Sequence, residues 1–449
     1  MSTFRDSRMT VSPGKPLFGQ LTLPGDKSLS HRAALLAALA AGESEVRNFL
    51  VAGVTRAMLN ALAALGVEWE LRETTLNIQG RGLRGLLPPD APLDCGNSGT
   101  TLRLLAGALA AARVRAVLDG SPGLRRRPMD RIVEPLQLRG VPIKSTDGRA
   151  PLRLRPADQP LRPLDYALPV ASAQVKSCLL LSGLAASGPT ILSELGPSRD
   201  HTERMLRAMG AAIEWDAYPN EGSYRTRLDP QSPAALTPLS LGLPGDFSSA
   251  AFLIVAALVT PGSQIELPEV GLNPTRTGLL EALREMGADI QVDNVRESYG
   301  EPVGDLRVHH AQLEGIQVEG QQVVRMIDEF PAFAVAAAFA RGATHVSQAG
   351  ELRHKESDRI GALCAQLRAL GVRAEEKTDG FVIYGGDPPR GGVAGAHGDH
   401  RLAMALALVG LAARGQVAVE GAGVIAESFP GFAEALGALG ADVSMEART

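Results

Sequence analysis

Aromatic residues are scarce in this chain: Phe, Tyr and Trp make up 4% of its 449 residues. That leaves few ring faces on which nucleic-acid bases could stack. Cysteine is almost absent, with Cys95, Cys178 and Cys364 far apart and without C-x-x-C spacing. An odd, scattered set excludes a disulfide framework and offers no zinc site. It suits small buried hydrophobes in a reducing cytosol. Charge of one sign is not in excess: the formal net charge is −4 at pH 7, which argues against general affinity for nucleic acid or membranes. Long apolar runs are missing. The stretch from Ala250 to Val259 falls well short of the roughly 18 residues that span a bilayer. Met1 to Thr10 is polar and has no apolar core of a secretory signal, so a cytoplasmic protein is expected. There is no G-x-x-x-x-G-K-[ST] loop and no dinucleotide fingerprint, which speaks against ATP and NAD.

What is present is an ordinary globular composition, 45% hydrophobic and 21% charged, at a length that suggests two or more domains. One stretch organises the rest. Leu23-Pro24-Gly25-Asp26-Lys27-Ser28-Leu29-Ser30-His31-Arg32 runs into an Ala/Leu segment ending at Leu39. It reads as a strand end, a Pro-Gly turn and a buried helix. Its polar residues cluster where the helix starts, beside unpaired backbone N–H groups and the positive end of the helix dipole. With Lys27 and Arg32 added, this is an anion site suited to phosphate or carboxylate. It is equally a capped helix with a solvated Lys and Arg.

The pattern recurs. Leu243-Pro244-Gly245-Asp246 leads into a second apolar helix, and four more Ala/Leu helices begin near Gly96–Arg103, Ala171–Lys176, Ile327–Pro331 and His397–Arg401. The period is roughly 70 to 80 residues, the mark of an internal repeat. A second helix recurs at the same period and ends each time in Gly, at Gly66, Gly140, Gly210, Gly287, Gly371 and Gly440, where a helix C-terminus favours a left-handed residue. Alternating strands follow, as in Val67–Leu71 and Thr75–Ile78. The unit is therefore strand, helix, strand, helix, strand, strand, six times over, giving an α/β protein of six βαβαββ repeats. They divide as three in residues 23–244 and three in residues 1–22 with 245–449, with the crossover in a Pro-rich segment from Pro230 to Pro244. Val11 to Leu23 is expected to pair with the last repeat. Packing alone explains the apolar helices and the glycines; it does not explain six polar clusters at helix starts. If these helices run parallel in two facing domains, their N-termini create an electropositive ligand cleft between the domains.

Leu23 to Arg32, Asn97-Ser98-Gly99-Thr100, Arg127-Pro128, Ser172-Ala173-Gln174, Arg353-His354-Lys355-Glu356-Ser357-Asp358-Arg359 and Asp399-His400-Arg401 resemble the 5-enolpyruvylshikimate-3-phosphate synthase family, in order and across nearly the whole chain. Ala-Ser-Ala-Gln-Val-Lys-Ser and Ser-Arg-Asp-His-Thr-Glu look like its class II branch. The resemblance implies an inside-out α/β barrel in each of two domains. It implies transfer of the enolpyruvyl group of phosphoenolpyruvate to shikimate 3-phosphate, the sixth step of the shikimate pathway, by addition and elimination. It also implies a monomer with small-molecule substrates only, no nucleic acid, no membrane and no metal or redox cofactor.

Residue roles follow from the same resemblance. Lys27, Ser28, Arg32, Ser172, Ala173, Gln174, Arg199, Asp328 and Lys355 match the shikimate 3-phosphate site. Lys27, Gly99, Arg127, Gln174, Arg359 and Arg401 match the phosphoenolpyruvate site, where the planar fork of Arg suits carboxylate and phosphate. Asp328 and Glu356, helped by Lys27 and His400, are the candidates for proton transfer. Asp328 is otherwise the cap of the helix that follows it, and His400 otherwise a structural histidine. Gly99 matches a position against phosphoenolpyruvate, in the pocket that the family inhibitor glyphosate also uses. Some class II relatives carry Ala there and resist glyphosate, so sensitivity is expected here.

The chain departs from the family at two places. Val51-Ala52-Gly53-Val54 stands where many members are acidic, and Glu427 where many carry Lys; the class II branch also tends to lack that Lys. Two rivals stand beside this reading. A related enolpyruvyl transferase acts on UDP-N-acetylglucosamine but typically uses a reactive Cys on a mobile loop, and Cys95 comes closest to that setting. A non-catalytic protein binding anions or RNA ends is the other.

Overall fold

A helix that is apolar on every side has to be buried on every side, and six helices of this chain meet that condition. In the computed structural model, which describes residues 7–218, 223–230 and 235–447, they are Lys27–Leu39, Gly99–Ala112 and Ala173–Gly183, then Phe247–Val259, Phe330–Phe339 and His400–Val409. Every residue of Phe247–Val259 is buried. The first three contact one another through the Gly99–Ala112 helix, and the second three pack on each other. They form the centres of two separate cores. Sheets lie outside them and present alternate residues inward, as in Thr75–Arg81.

Among the described residues there are six sheets of four strands. The one beginning at Leu93 shows the plan. Leu93–Asp94 pairs parallel with Ala116–Asp119, which pairs antiparallel with Arg149–Leu154, which pairs antiparallel with Ile143–Thr146. The buried helix joins the parallel strands, as a crossover must. The helix Asp130–Leu138 leads to the hairpin. All six glycines expected to end the second helices have positive φ, from 83° at Gly66 to 103° at Gly440.

The chain divides into two units: Gly25–Leu243 with Glu297–Glu301, and Met1–Pro24, Pro244–Arg296 and Pro302–Thr449. Two repeats take their first strand from elsewhere in the sequence. Phe18–Gln20 precedes the Lys27 helix but pairs parallel with Gln264–Gly271. Ser240–Gly242 precedes the Phe247 helix but pairs parallel with Ala41–Arg47. The expected pairing of Val11 to Leu23 with the last repeat is therefore corrected. Ser7–Ser12 joins that repeat, between Val417–Glu420 and Asp442–Ala447, whereas Phe18–Gln20 completes the fourth. Of the Pro-rich segment, residues 231–234 lie outside the described residues, as do residues 1–6 of the polar start. Among the described residues no helix is long and apolar enough to cross a membrane.

Candidate active site

In the Gly25–Leu243 unit the polar residues gather where the three buried helices begin. Asp26 caps the first, its Oδ1 accepting from the Leu29 N–H at 2.8 Å. Ser98 caps the second, accepting from Thr101 N–H at 3.1 Å. Ser172 is the N-cap residue of the third, yet its hydroxyl does not cap. Lys27 and Ser28 are half-buried in the first turn, and Ala173 and Gln174 are half-buried in theirs.

One turn on, Arg32 is buried. Its Nε donates to Thr202 Oγ1 at 2.7 Å, its Nη2 to Ser177 Oγ at 2.8 Å and its Nη1 to the Ser28 carbonyl at 3.1 Å. Burial lowers its pKa to about 10; Glu203 opposes this and Arg199 adds to it. Arg199, half-buried, is thus a second cation close to Arg32. Behind Ser177 lies a buried triad: Lys176 Nζ sits 2.6 Å from Glu194 Oε1 and 2.9 Å from Glu203 Oε1. Burial works against the Lys176 charge, but the two carboxylates outweigh it and hold the ammonium above its ordinary value. His31 meets the Lys27 carbonyl through Nδ1 at 2.8 Å and Ser98 Oγ through Nε2 at 3.2 Å. Burial, with Lys27 and Arg32 close by, lowers its pKa to about 4. It is a neutral local bridge.

Gly99 begins the second helix and is buried. A Cβ there would lie 3.0 Å from both Arg103 Nη1 and Arg127 Nη1. Arg103 donates to Gln174 Oε1 and, through Nη2, to the Pro128 carbonyl at 3.1 Å. Gln174 Nε2 in turn donates to Thr100 Oγ1 at 2.8 Å. Gly99, Arg127 and Gln174 are therefore brought together, and Arg103 fixes which way the Gln174 amide faces. Arg103 carries no role in the sequence reading. Its one signal there is a charge four residues into an apolar helix.

In the other unit Arg359 is the hub. It is fully buried, with Nε 2.8 Å from Asp399 Oδ2, Nη2 2.7 Å from Glu356 Oε2 and Nη1 3.5 Å from Asp328 Oδ1. Burial opposes its charge, but Asp399, Glu356 and Asp328 prevail and hold it above its ordinary value. Asp399 is fully buried too; burial would raise its pKa, but Arg359 holds it below the usual carboxylate range. It caps the His400–Val409 helix through the Arg401 N–H at 3.0 Å and accepts from Ser357 Oγ at 3.0 Å. Asp328 faces three cations: Lys355 Nζ at 3.6 Å, Arg359, and Arg401 Nη2 at 3.7 Å. Arg401 Nη1 also donates to the Asp328 carbonyl at 3.0 Å.

The alternative role of Asp328 as a helix cap fails, because Glu329 is the N-cap residue of Phe330–Phe339. Glu329 is buried and accepts from Ser248 Oγ, whose partner Arg276 also reaches Asp246 at 3.0 Å. His400 is buried beside Asp399. The loop bearing Lys355 and Glu356 is pinned by Arg353, which binds Asp358 at 2.6 Å and Glu376 at 2.9 Å. Glu427 is half-buried in the Ala422–Glu427 3-10 helix. The sequence reading gave no role to Asp399, Glu329 or Arg276; a carboxylate beside a helix start looks the same whether it caps, pairs or reacts. The expected binding residues are thus divided, with Lys27, Ser28, Arg32, Gly99, Arg127, Ser172, Ala173, Gln174 and Arg199 in one unit and Asp328, Lys355, Glu356, Arg359, His400 and Arg401 in the other. Among the described residues no group of three or more His, Cys, Asp or Glu is arranged to hold a metal ion.

Polar helix starts beside cations in one unit and carboxylates among cations in the other are chemistry that suits phosphorylated acids. The comparisons agree. The family model described as EPSP synthase (3-phosphoshikimate 1-carboxyvinyltransferase) matches residues 11–436. A 3-phosphoshikimate 1-carboxyvinyltransferase of Xanthomonas campestris pv. campestris is 51% identical over 93% of this chain and 94% of its own. The one from Salinibacter ruber is 48% identical over 94% and 97%. Among solved structures, EPSP synthase from Acinetobacter baumannii superposes with a TM-score of 0.86 at 40% identity, covering 98% of this chain and all of its own. The enolpyruvyl transferase NikO from Streptomyces tendae shares the fold, with a TM-score of 0.79 at 21% identity. On this match of sequence along nearly its whole length, and of structure, the chain belongs to the EPSP synthase family.

Proposed function

We propose that the protein transfers the enolpyruvyl group of phosphoenolpyruvate to the 5-hydroxyl of shikimate 3-phosphate and releases phosphate. The observation that carries this reading is Asp328 set among Lys355, Arg359 and Arg401, with Glu356 on the same Arg359. An anion arriving at those cations takes over the pairing that Asp328 holds, which frees the carboxylate for proton transfer.

Shikimate 3-phosphate is held by Lys27, Ser28, Arg32, Ser172, Ala173, Gln174 and Arg199, with Asp328 and Lys355 at its hydroxyls. Phosphoenolpyruvate is held by Lys27, Gly99, Arg127, Gln174, Arg359 and Arg401. In the addition step the 5-hydroxyl oxygen bonds to C2 of phosphoenolpyruvate. Its proton goes to Asp328, and Glu356 delivers a proton to the methylene carbon, making a methyl group. In the elimination step a methyl proton returns to Glu356, the C2–O bond to phosphate breaks as the departing oxygen takes up the proton held by Asp328, and the double bond re-forms. Lys27 neutralises the departing phosphate and His400 supports the acid–base pair. In the same reading the enzyme is a cytoplasmic monomer that needs no metal or redox cofactor.

The UDP-N-acetylglucosamine alternative fares worse. Its nearest candidate thiol, Cys95, is fully buried, and burial pushes its pKa up, which leaves it unreactive. Phosphate release from phosphoenolpyruvate is expected with shikimate 3-phosphate and not with UDP-N-acetylglucosamine. Release with the UDP-sugar alone, or with neither, overturns the proposal.

Gly99 gives a second test. Gly99 opens a right-handed helix and is not among the glycines of positive φ, so Ala adds no backbone strain there. The new methyl would press on the ends of Arg103 and Arg127, which must give by a few tenths of an ångström. Glyphosate is longer than phosphoenolpyruvate and suffers more from the lost room. Gly99→Ala is expected to weaken glyphosate inhibition by roughly tenfold or more, about 1.4 kcal/mol, with a much smaller rise in KM for phosphoenolpyruvate and an unchanged melting point. Equal losses of both ligands with a lowered melting point would show a folding defect instead.

A further inference from the structure

A cavity of about 690 Å³ lies on the Gly25–Leu243 unit, on the outer face of the Leu93–Arg149 sheet. Its floor is basic. Lys144 and Arg153 stand directly opposite each other on neighbouring strands, and Val117 is the next residue across. Arg115 and Arg155 lie two positions along on the same face, by the alternation of side chains in a strand. The residues between them, Ala116, Leu118, Ile143, Leu152 and Leu154, are buried inward, so all four cations point out and are exposed. The walls are apolar, from Pro88, Pro89, Pro92 and Pro142, with Asp90 at the rim.

Two like charges placed directly across a sheet destabilise it, and no ion pair is formed by either member of this pair among the described residues. Among the described residues no carboxylate comes within salt-bridge distance of Lys144, Arg153, Arg115 or Arg155. Asp119, on the adjacent strand, interacts with Arg153 through charge alone. It is already held by Arg125, 2.8 Å from Nε, and that hydrogen bond, more than Arg153, keeps its carboxyl below the usual range. A solvated surface would scatter such charges; here four converge on a walled hollow whose volume falls within that of small-molecule sites, roughly 300–1,000 Å³.

We propose that this hollow binds a small polyanion, a molecule carrying two or more phosphate or carboxylate groups, with the Arg guanidinium forks gripping the anionic groups and the prolines covering its apolar body. None of the four cations belongs to the residues that hold the reacting substrates, so the site is a second one on this unit.

Inorganic pyrophosphate serves as the probe, in titration calorimetry at about 0.15 M salt, where exposed long-range attraction is screened. The wild type and a Lys144→Gln/Arg153→Gln variant are compared with and without saturating shikimate 3-phosphate and glyphosate, because the active site also attracts anions. The wild type is expected to take up one pyrophosphate with both present, with a Kd of about 1 mM or tighter. The variant should bind at least roughly tenfold more weakly, with unchanged turnover in the absence of pyrophosphate. Both positions are exposed strand sites and the change relieves repulsion, so its melting point should equal or exceed that of the wild type. An Arg115→Gln/Arg155→Gln variant repeats the test without touching the cross-strand pair. Equal affinity in wild type and both variants, or no uptake by the wild type at about 10 mM, overturns the proposal. So does binding of a single-stranded RNA without binding of pyrophosphate.

Discussion

Glu356→Gln is expected to lower kcat by roughly 10²-fold or more while KM for either substrate changes little. Gln has the same shape and its carbonyl oxygen can still accept from Arg359 Nη2, which now sits 2.7 Å from Glu356 Oε2. Arg359 keeps Asp399, which accepts from it through both carboxylate oxygens, so the guanidinium should stay in place. What disappears is a group able to give and retake a proton. The split between kcat and KM separates this from a positioning role. If Glu356 only steadied Arg359, a role Gln can fill, the variant would turn over normally at saturation, with at most a raised KM for phosphoenolpyruvate. Steady-state kinetics on both substrates decide, and full turnover would remove Glu356 from the mechanism.

The largest loss of stability is expected from Asp399→Ala. Asp399 is fully buried and holds the Nε and Nη2 of Arg359 at 2.8 and 3.3 Å. It also caps a helix and accepts from Ser357. Removing one partner of a buried pair leaves the other charge uncompensated, at a cost of about 3–5 kcal/mol; the lost cap adds about 1 kcal/mol. A fall in Tm on the order of 10 °C should follow. The pH dependence carries the same signature. The folded-state pKa of Asp399 lies below its ordinary value because Arg359 outweighs burial. Its stabilisation is therefore complete above the unfolded pKa of about 3.9 and is lost as pH falls through the lower folded value. The variant should lack that acid limb. An unchanged Tm at neutral pH would mean that Glu356 and Asp328 suffice to balance Arg359.

Much of this architecture was legible in the sequence because a repeat states the same physics six times. A helix with Ala or Leu on every side can only be central, and a Gly at its neighbour's end can only be left-handed; Gly66 and its five counterparts are. The strand exchange was not legible. Phe18–Gln20 and Ser240–Gly242 are three residues each, too short for alternation to say which sheet they complete. In the site, motif and charge singled out Lys27, Arg32, Glu356 and Arg359. They missed Arg103 and Asp399, whose importance lies in whom they touch. Arg103 reads as one stray charge in an apolar helix until the fold sets it against Gln174.

The pairing of Ser7–Ser12 with the last repeat has a consequence for how the molecule comes into being. Ser7–Ser12 lies between Val417–Glu420 and Asp442–Ala447, with Ser7 opposite Ala447. Ser7–Ser12 must therefore wait for strands roughly 400 residues further on, which at synthesis rates of about 5–20 residues per second is on the order of 20–90 s. The Gly25–Leu243 unit has no such wait, since its borrowed strand, Ser240–Gly242, arrives at its own end. The same pairing brings Ser7 and Ala447 to one sheet. A circularly permuted gene that joined residue 449 to residue 1 and opened before Gly25 would encode each unit as one uninterrupted stretch, apart from Glu297–Glu301, with a single covalent bridge where the natural chain crosses twice.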